Sequence, residues 1–209
     1  MVRAVVLVAM IALAGSLGLA GCAPTVPRVP LTETWPAQIE PYQDVTDRWT
    51  RKTELQTSYQ QVLELAATFK SPEWRAARAA RDAELRGVTG SAREQLFAQA
   101  QADMAGPWEV ELLVTTWDRR ENDLDRGTKS VWRVVLLDEQ GNEIEPLEIV
   151  KDKRPAFTVR ADFPALGDFA TAYIARFSRD KVVLGPNVRL VRLRMSSPRG
   201  AVQLAWEAP

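Results

Sequence analysis

The sequence predicts an α+β protein in which a short N-terminal helical segment precedes an antiparallel β-sandwich. Two observations predict this class. Apolar residues recur every three or four positions between about residues 45 and 106, and from Trp108 onward they recur every second position. Gly106 and Pro107 separate the two regions. The chain of 209 residues, 46% of them hydrophobic, is long enough for one substantial core or for two small packed units.

Three stretches of residues 45–106 carry helical signals. The first runs from about Asp44 to Phe69 and has apolar residues at helical steps. The second has Ser71 as N-cap, Pro72 in the first turn and Gly87 at its end. The third is predicted to start at Ser91, with Glu94 three residues on in the spacing of a capping box.

Residues 107–209 are predicted to form about seven half-buried strands. Alternating apolar residues mark the stretches 108–116, 132–136, 157–163, 169–177, 188–195 and 202–206. Pro146 favours an edge strand or a bulge in residues 143–150, and the alternation slips between Leu190 and Leu193, which predicts a β-bulge there. The strand count favours an immunoglobulin-like or fibronectin-like arrangement.

The amino-acid composition excludes several classes of catalytic and metal-binding site. Lys and Arg total 27 and Asp and Glu total 27, so no net field attracts nucleic acid. The chain has no histidine and one cysteine, which excludes Ser/His/Asp and Cys/His catalytic sets, histidine-ligated metals and intramolecular disulfides. We therefore expect no catalytic residues, no metal and no cofactor.

The N-terminal residues 1–21 have the pattern of a secretory signal. A short n-region ends at Arg3, an apolar h-region covers residues 4–13, and small residues follow. The sequence Leu19-Ala20-Gly21-Cys22 resembles the lipobox of bacterial lipoproteins. That resemblance implies cleavage before Cys22 and lipid on its thiol. An uncleaved transmembrane helix and an ordinary signal peptide are the alternatives.

The resemblance also bears on location. Ala23 stands where an Asp favours inner-membrane retention in enterobacterial lipoproteins, so outer-membrane placement facing the periplasm is expected. Residues 22–44, which contain five prolines, are predicted to be a Pro-rich tether. About twenty such residues, fully extended, reach roughly 60 Å from the bilayer.

Three sets of polar residues are candidate sites. The residues Asp118, Glu121, Asp123 and Asp125 suggest a calcium loop, but neighbouring arginines favour a solvated loop. Glu145, Glu148 and Asp152 are weak candidates for a glycosidase carboxylate pair. The third set is an outward row of arginines that would bind an anion or a protein partner, unless interleaved acidic residues cancel it. Its members are Arg160, Arg176, Arg189, Arg192 and Arg194.

Trp117 is out of phase with the apolar face of its strand, which predicts that its side chain belongs to an exposed patch and indicates an interface. The whole layout resembles a group of uncharacterised bacterial outer-envelope lipoproteins. We therefore expect a non-enzymatic outer-membrane lipoprotein that faces the periplasm and acts as a binding or assembly module. Lipid on Cys22 is expected to hold it in the membrane, and an envelope protein is the expected partner. The alternatives are an envelope enzyme or enzyme accessory subunit that uses loop carboxylates, and a carrier of a lipid ligand.

Overall fold

The computed structural model describes residues 26–209, so the signal sequence and the Cys22 prediction lie outside the described residues. The described chain is α+β, with two antiparallel sheets of strand order β1-β2-β3-β7-β6 and β5-β4-β8-β9. The helices are α1 (Tyr42–Trp49), α2 (Pro72–Arg86), α3 (Gly90–Ala102) and α4 (Ala156–Asp162). The strands are β1 (Thr50–Thr57), β2 (Gln60–Phe69), β3 (Trp108–Thr116), β4 (Arg133–Leu137), β5 (Glu143–Ile144), β6 (Pro146–Lys151), β7 (Thr171–Phe177), β8 (Leu190–Ser197) and β9 (Gly200–Glu207).

One hydrophobic core contains residues from both sheets. Val110, Leu112 and Val114 of β3 are each 0% exposed, and they alternate with residues that point to the opposite face. Phe69 of β2 lies 5.8 Å from Trp206 of β9, centroid to centroid. The Trp206 indole donates a hydrogen bond to the Trp49 carbonyl at 2.8 Å, so the second sheet is also tied to the end of α1.

Helices cover the other face of the five-stranded sheet. Trp74 of α2 stacks on Phe163, which follows α4, with ring centroids 5.7 Å apart. Thr50 and Thr68 share a hydrogen bond at 2.7 Å across β1 and β2. Strands β2 and β3 are consequently buried on both faces along most of their length.

Helix α2 follows its sequence signals. The Ser71 hydroxyl accepts a hydrogen bond from the Trp74 amide at 3.1 Å, and Gly87 ends the helix in the left-handed conformation, with φ of 61°. Helix α3 differs from expectation because it begins at Gly90, with no side-chain capping hydrogen bond from Thr89. The predicted capping box of Ser91 and Glu94 is therefore wrong.

The predicted helix across residues 50–69 is also wrong, because this stretch is the β1–β2 hairpin. Strand β2 is buried on both faces, so its apolar run is nearly continuous. Such a run has no clear period of two, and periodicity alone does not separate it from a buried helix. β2 pairs with β3, so one sheet includes strands from both sides of the predicted boundary at residue 106.

The predicted strand at residues 157–163 is instead mostly helix α4. Val159 and Phe163 are buried while Phe157 is 77% exposed, and a spacing of four residues suits one helical face as well as it suits alternation. The predicted bulge between Leu190 and Leu193 is wrong, since β8 pairs with both neighbours without a shift in register. The prediction at Pro146 is confirmed: β6 is an edge strand, and its register shifts between Pro146 and Glu148.

The N-terminal segment of the described chain lies against the folded body. Val29 and Leu31 are 0% and 3% exposed. The Val29 amide donates to the Glu207 carbonyl at 2.8 Å, and the Gly185 amide donates to the Leu31 carbonyl at 2.9 Å. The predicted free tether over residues 22–44 is thus wrong for the part from about Pro27 onward, because alternate apolar side chains between the prolines enter the core.

No helix in residues 26–209 is long and apolar enough to cross a lipid bilayer.

Candidate binding groove

Four connections meet at one end of the two sheets. Strands β2 and β7 start at this end and β3 and β8 finish there, because neighbouring strands are antiparallel. The β1–β2 turn, the β3–β4 connection, the β6–β7 connection and the β8–β9 turn therefore lie together, and we call this the loop end. Arg199 of the β8–β9 turn pairs with Glu121 of the β3–β4 connection at 2.5 Å, which joins the two sheets here.

Two adjoining open grooves lie at the loop end. The first groove has a volume of about 680 Å³ and the second about 650 Å³. Both are lined by Trp117 and Arg119, which form the ridge between them. The first groove crosses the ends of β2, β3 and β7, and Gln61, Glu64, Thr115, Asn122 and Thr171 supply most of its polar lining.

Two exposed aromatic rings border the first groove. Trp117 is 68% exposed and Phe169 is 71% exposed. The Arg119 guanidinium carbon lies 5.5 Å from the centroid of the Phe169 ring, a cation–π distance that links the two loops. The exposure of Trp117 agrees with the sequence prediction, whereas Phe169 was wrongly grouped with the alternating residues of β7.

Local hydrogen bonds fix the Trp117 ridge. The Trp117 amide extends the β2–β3 ladder by donating to the Val62 carbonyl at 3.1 Å. The Asp118 carboxylate accepts from the Arg120 amide at 2.9 Å and turns the chain directly after the ridge. Asn122 braces this turn, since its side-chain amide donates to the Val114 carbonyl at 2.8 Å.

Tyr173 supports the same turn from β7. Its hydroxyl lies 2.8 Å from both the backbone and the side-chain carbonyl oxygens of Asn122. Burial raises the pKa of Tyr173 above the usual tyrosine range, with a smaller contribution from the charge of Asp125. The phenol therefore stays protonated and acts as a fixed donor beneath the groove.

The charges of the loop end leave two cations without an acidic partner. Arg119 and Arg120 are exposed and form no ion pair with another residue in the range 26–209. Lys151 pairs with Asp125 at 3.2 Å and Asp168 pairs with Arg160 at 2.9 Å. The second groove is lined by Arg119, Arg120 and Arg199 and by one acidic residue, Asp118. Because Arg199 is paired with Glu121, Arg119 and Arg120 supply the positive charge of this groove.

The five arginines predicted from the sequence do not form one row. Arg192 and Arg194 lie on β8, Arg176 lies on β7 of the other sheet, and Arg160 lies on α4. Arg176 pairs with Glu109 at 2.8 Å and with Glu148 at 2.5 Å, and Arg194 contacts Glu143. The row does not form because β7 and β8 belong to different sheets and because residues 157–163, predicted as a strand, are mostly helix α4. Arg189 is exposed, and only its backbone amide bonds an acidic side chain, that of Glu139.

The acidic residues of the suggested calcium loop do not point toward one common position. Asp118 caps a turn, Glu121 pairs with Arg199, and Asp123 accepts from the Ser130 hydroxyl at 2.8 Å. Within the described part of the chain, no three side chains of His, Cys, Asp or Glu are grouped as metal ligands. The three suggested glycosidase carboxylates, Glu145, Glu148 and Asp152, each contact an arginine.

A buried ionic layer lies between α2 and the five-stranded sheet, away from the loop end. Glu111 of β3 is 0% exposed, and the Lys70 ammonium lies 3.0 Å from one of its oxygens, yet neither oxygen accepts a hydrogen bond of ordinary geometry. Burial raises the pKa of Glu111 to about 7, against the opposing effect of Lys70. Asp162 in the same layer contacts Arg78, Arg81 and Arg154.

Sequence reasoning missed Arg119, Arg120 and Phe169 as groove residues. The two arginines were assigned to neutralise their acidic neighbours, and only the folded turn at Asp118 shows that they point elsewhere. Phe169 precedes β7 by two residues and matched its alternation. The one sequence signal for this site was the phase of Trp117.

Comparison with protein-family models finds no match, and comparison with curated proteins finds none either. Among solved structures, the chain is similar to a crystal structure of a novel protein of unknown function from Burkholderia pseudomallei K96243. The two share 13% sequence identity, the match covers 78% of this chain and 81% of that chain, and the TM-score is 0.36. A likeness at this level identifies neither a family nor a function.

Proposed function

We propose that this protein is a lipid-anchored binding module of the bacterial outer membrane, facing the periplasm and without catalysis of its own. The lipobox at Leu19–Cys22 supports the anchor. The observation that carries the binding function is the loop end, where adjoining grooves are bordered by two exposed aromatic rings and by two arginines that have no ion-pair partner in the described part of the chain. Exposed aromatic and arginine side chains are typical of recognition surfaces.

The position of the N-terminal segment supports this function. Pro27 is held beside β9 at its far end, where the Arg51 guanidinium donates to the carbonyls of Pro27 and Ala205 at 2.7 Å each. The β8–β9 turn at the loop end is seven residues away along β9, a rise of about 23 Å. In this proposal, a lipid on Cys22 holds the body through the segment that begins at Pro27, and the grooves at the loop end stay open to the periplasm.

We also propose that the two sheets form a sandwich of immunoglobulin-like topology. The strands β2, β3, β7 and β6 follow the order A-B-E-D, and β4, β8 and β9 follow C-F-G. In this correspondence α2 and α3 are inserted between strands A and B. The loop end then corresponds to the end that carries the B–C and F–G loops.

Binding is favoured over catalysis by the distribution of acidic groups. Among the described carboxyls, the one with a clearly raised pKa is Glu111, which is fully buried and does not line the grooves. A general acid must reach its substrate, so this carboxyl is a poor candidate for acid catalysis.

The first experiment tests the anchor and the surface together. A photo-crosslinking amino acid is placed at position 169 in intact cells, with position 157, an equally exposed phenylalanine on α4, as the matched control. We expect a crosslinked product from position 169 and none from position 157. In parallel, Cys22→Ser is expected to lose the acyl mass on the N-terminal peptide and to leave the membrane fraction.

Equal crosslinking from both positions, or none from 169, contradicts the loop end as the binding surface. An unchanged membrane fraction for Cys22→Ser contradicts the lipid anchor. The two readouts are independent, so each part of the proposal can fail alone.

A further inference from the structure

We infer that the two grooves accommodate one elongated, negatively charged glycan that passes over the Trp117 ridge. This inference rests on the proposed binding function and names its ligand class. Two grooves of similar volume share Trp117 and Arg119, so a chain-like ligand that fills one is led across the ridge into the other. A compact ligand would fill one groove only.

The aromatic rings suit saccharide units. Trp117 and Phe169 border the first groove on separate loops and leave about two thirds of their surfaces free. The face of an aromatic ring carries partial negative charge, and the face of a pyranose ring presents C–H groups with partial positive charge. Sugar rings therefore stack on such platforms, while their hydroxyl groups remain free for hydrogen bonding.

The polar lining of the first groove suits those hydroxyl groups. Gln61, Thr115 and Thr171 supply amide and hydroxyl groups along its length, whereas the side chain of Asn122 is already bonded to Val114 and Tyr173. Glu64 adds a carboxylate to this groove, so acidic substituents of the glycan are expected to lie in the second groove. Protein-binding hot spots lie in well-packed pockets that become fully desolvated, whereas this groove is open and is lined mostly by polar side chains. The lining thus favours a hydrated glycan over a protein surface.

The second groove supplies the preference for charge. Arg119 and Arg120 lack ion-pair partners among residues 26–209, whereas Arg199, which also lines this groove, is already paired with Glu121. Guanidinium groups bind carboxylates and phosphates in paired geometry. A glycan that carries acidic substituents would place its sugar rings on Trp117 and Phe169 and its anionic groups beside these arginines.

The test uses the full-length lipidated protein in detergent and two insoluble probes. Protein-free peptidoglycan sacculi are a glycan with carboxylates, and chitin is a neutral glycan. We expect the protein to co-sediment with sacculi and to bind chitin at least roughly fivefold more weakly. Trp117→Ala is expected to weaken sacculus binding roughly tenfold. The double variant Arg119→Ala/Arg120→Ala is expected to bind sacculi and chitin about equally and to lose most of the salt dependence.

Matched controls separate the surface from general damage. Phe157→Ala removes an equally exposed aromatic ring, and Arg189→Ala removes an exposed arginine, both away from the grooves. Both controls should bind as the parent does, and circular dichroism reports whether each variant folds.

Two results would overturn the inference. The first is absence of sacculus binding by the parent protein, or binding that Trp117→Ala leaves unchanged. The second is a crosslink from position 169 to a discrete protein, which would replace the glycan with a protein partner and leave the proposed binding function standing. Loss of both the crosslink and the sacculus binding would reject that function as well.

Discussion

Glu111 of β3 places a carboxyl group in the buried interior of the protein. It is 0% exposed, and its charged neighbours are Lys70 at 3.0 Å together with Asp152 and Arg154. Desolvation disfavours its charged form more than Lys70 favours it, so the pKa rises to about 7. The folded protein therefore holds this proton more tightly than the unfolded chain does.

That difference predicts how stability depends on pH. Because the folded-state pKa lies above the ordinary value of 4.5, the contribution of Glu111 is fully present below about pH 4.5 and is lost as the pH rises toward 7. Glu111→Gln removes this loss. Its unfolding free energy relative to the parent is expected to increase by roughly 2 to 3 kcal/mol between pH 4.5 and 7.5. Urea unfolding across this range measures the difference, and parallel curves for the two proteins would contradict the prediction.

At the scale of elements, arginine-rich α2 is joined to α4 through one buried carboxylate. Asp162 is 3% exposed and accepts hydrogen bonds from Arg81 at 2.8 Å and from Arg154 at 2.5 Å. The Tyr42 hydroxyl from α1 donates to the Asp162 carbonyl at 2.8 Å. The arginines of α2 are therefore structural on this side, since they neutralise a buried acid.

The N-terminal segment is an element of the fold although it has no regular secondary structure. Leu31 is 3% exposed, whereas Val26 is 58% exposed at the start of the described chain. Leu31→Ala is expected to lower the unfolding free energy by roughly 2 to 4 kcal/mol, because it leaves a cavity in the core. Val26→Ala, the matched control, should change it by less than about 0.5 kcal/mol. Equal, small effects in urea unfolding would mean that the segment is a tether after all.

The elements also show which features a sequence can predict. Helix α2 was predictable because Ser71, Pro72 and Gly87 act locally, through capping and backbone conformation. Strand β2 was not, because its two buried faces result from the helices that cover the sheet and not from any pattern within the strand. Trp117 could be assigned to the surface from its phase. Arg119 could not be placed beside Phe169, since that contact depends on two distant loops folding to the same end.

At the scale of the whole molecule, the proposed lipid anchor and the proposed binding surface predict an orientation of the body on the membrane. Four residues lie between Cys22 and Pro27, and the five steps from one to the other span at most about 18 Å in a fully extended chain. A lipid on Cys22 would therefore keep Pro27 near the bilayer surface instead of lifting it by tens of ångströms. We predict that the loop end, with its grooves, extends farther from the membrane than the Pro27 end does.

Energy transfer from a dye on the protein to labelled lipids measures which end of the body lies nearer the membrane. A donor dye is attached through Arg28→Cys or through Arg199→Cys in the lipidated protein, on vesicles that carry an acceptor on their headgroups; an acylated Cys22 does not react with the dye. Position 28 adjoins the anchored segment, and position 199 lies at the other end of β9, about 23 Å away. We expect clearly stronger transfer from position 28, because transfer falls steeply with distance.

Inserting ten Gly/Ser residues after Thr25 should lower the transfer from position 28 most, since the longer linker lets that donor move away from the bilayer. Equal transfer from both positions before insertion would mean that the body lies flat on the membrane, and the grooves would then face the lipid headgroups and not the periplasm.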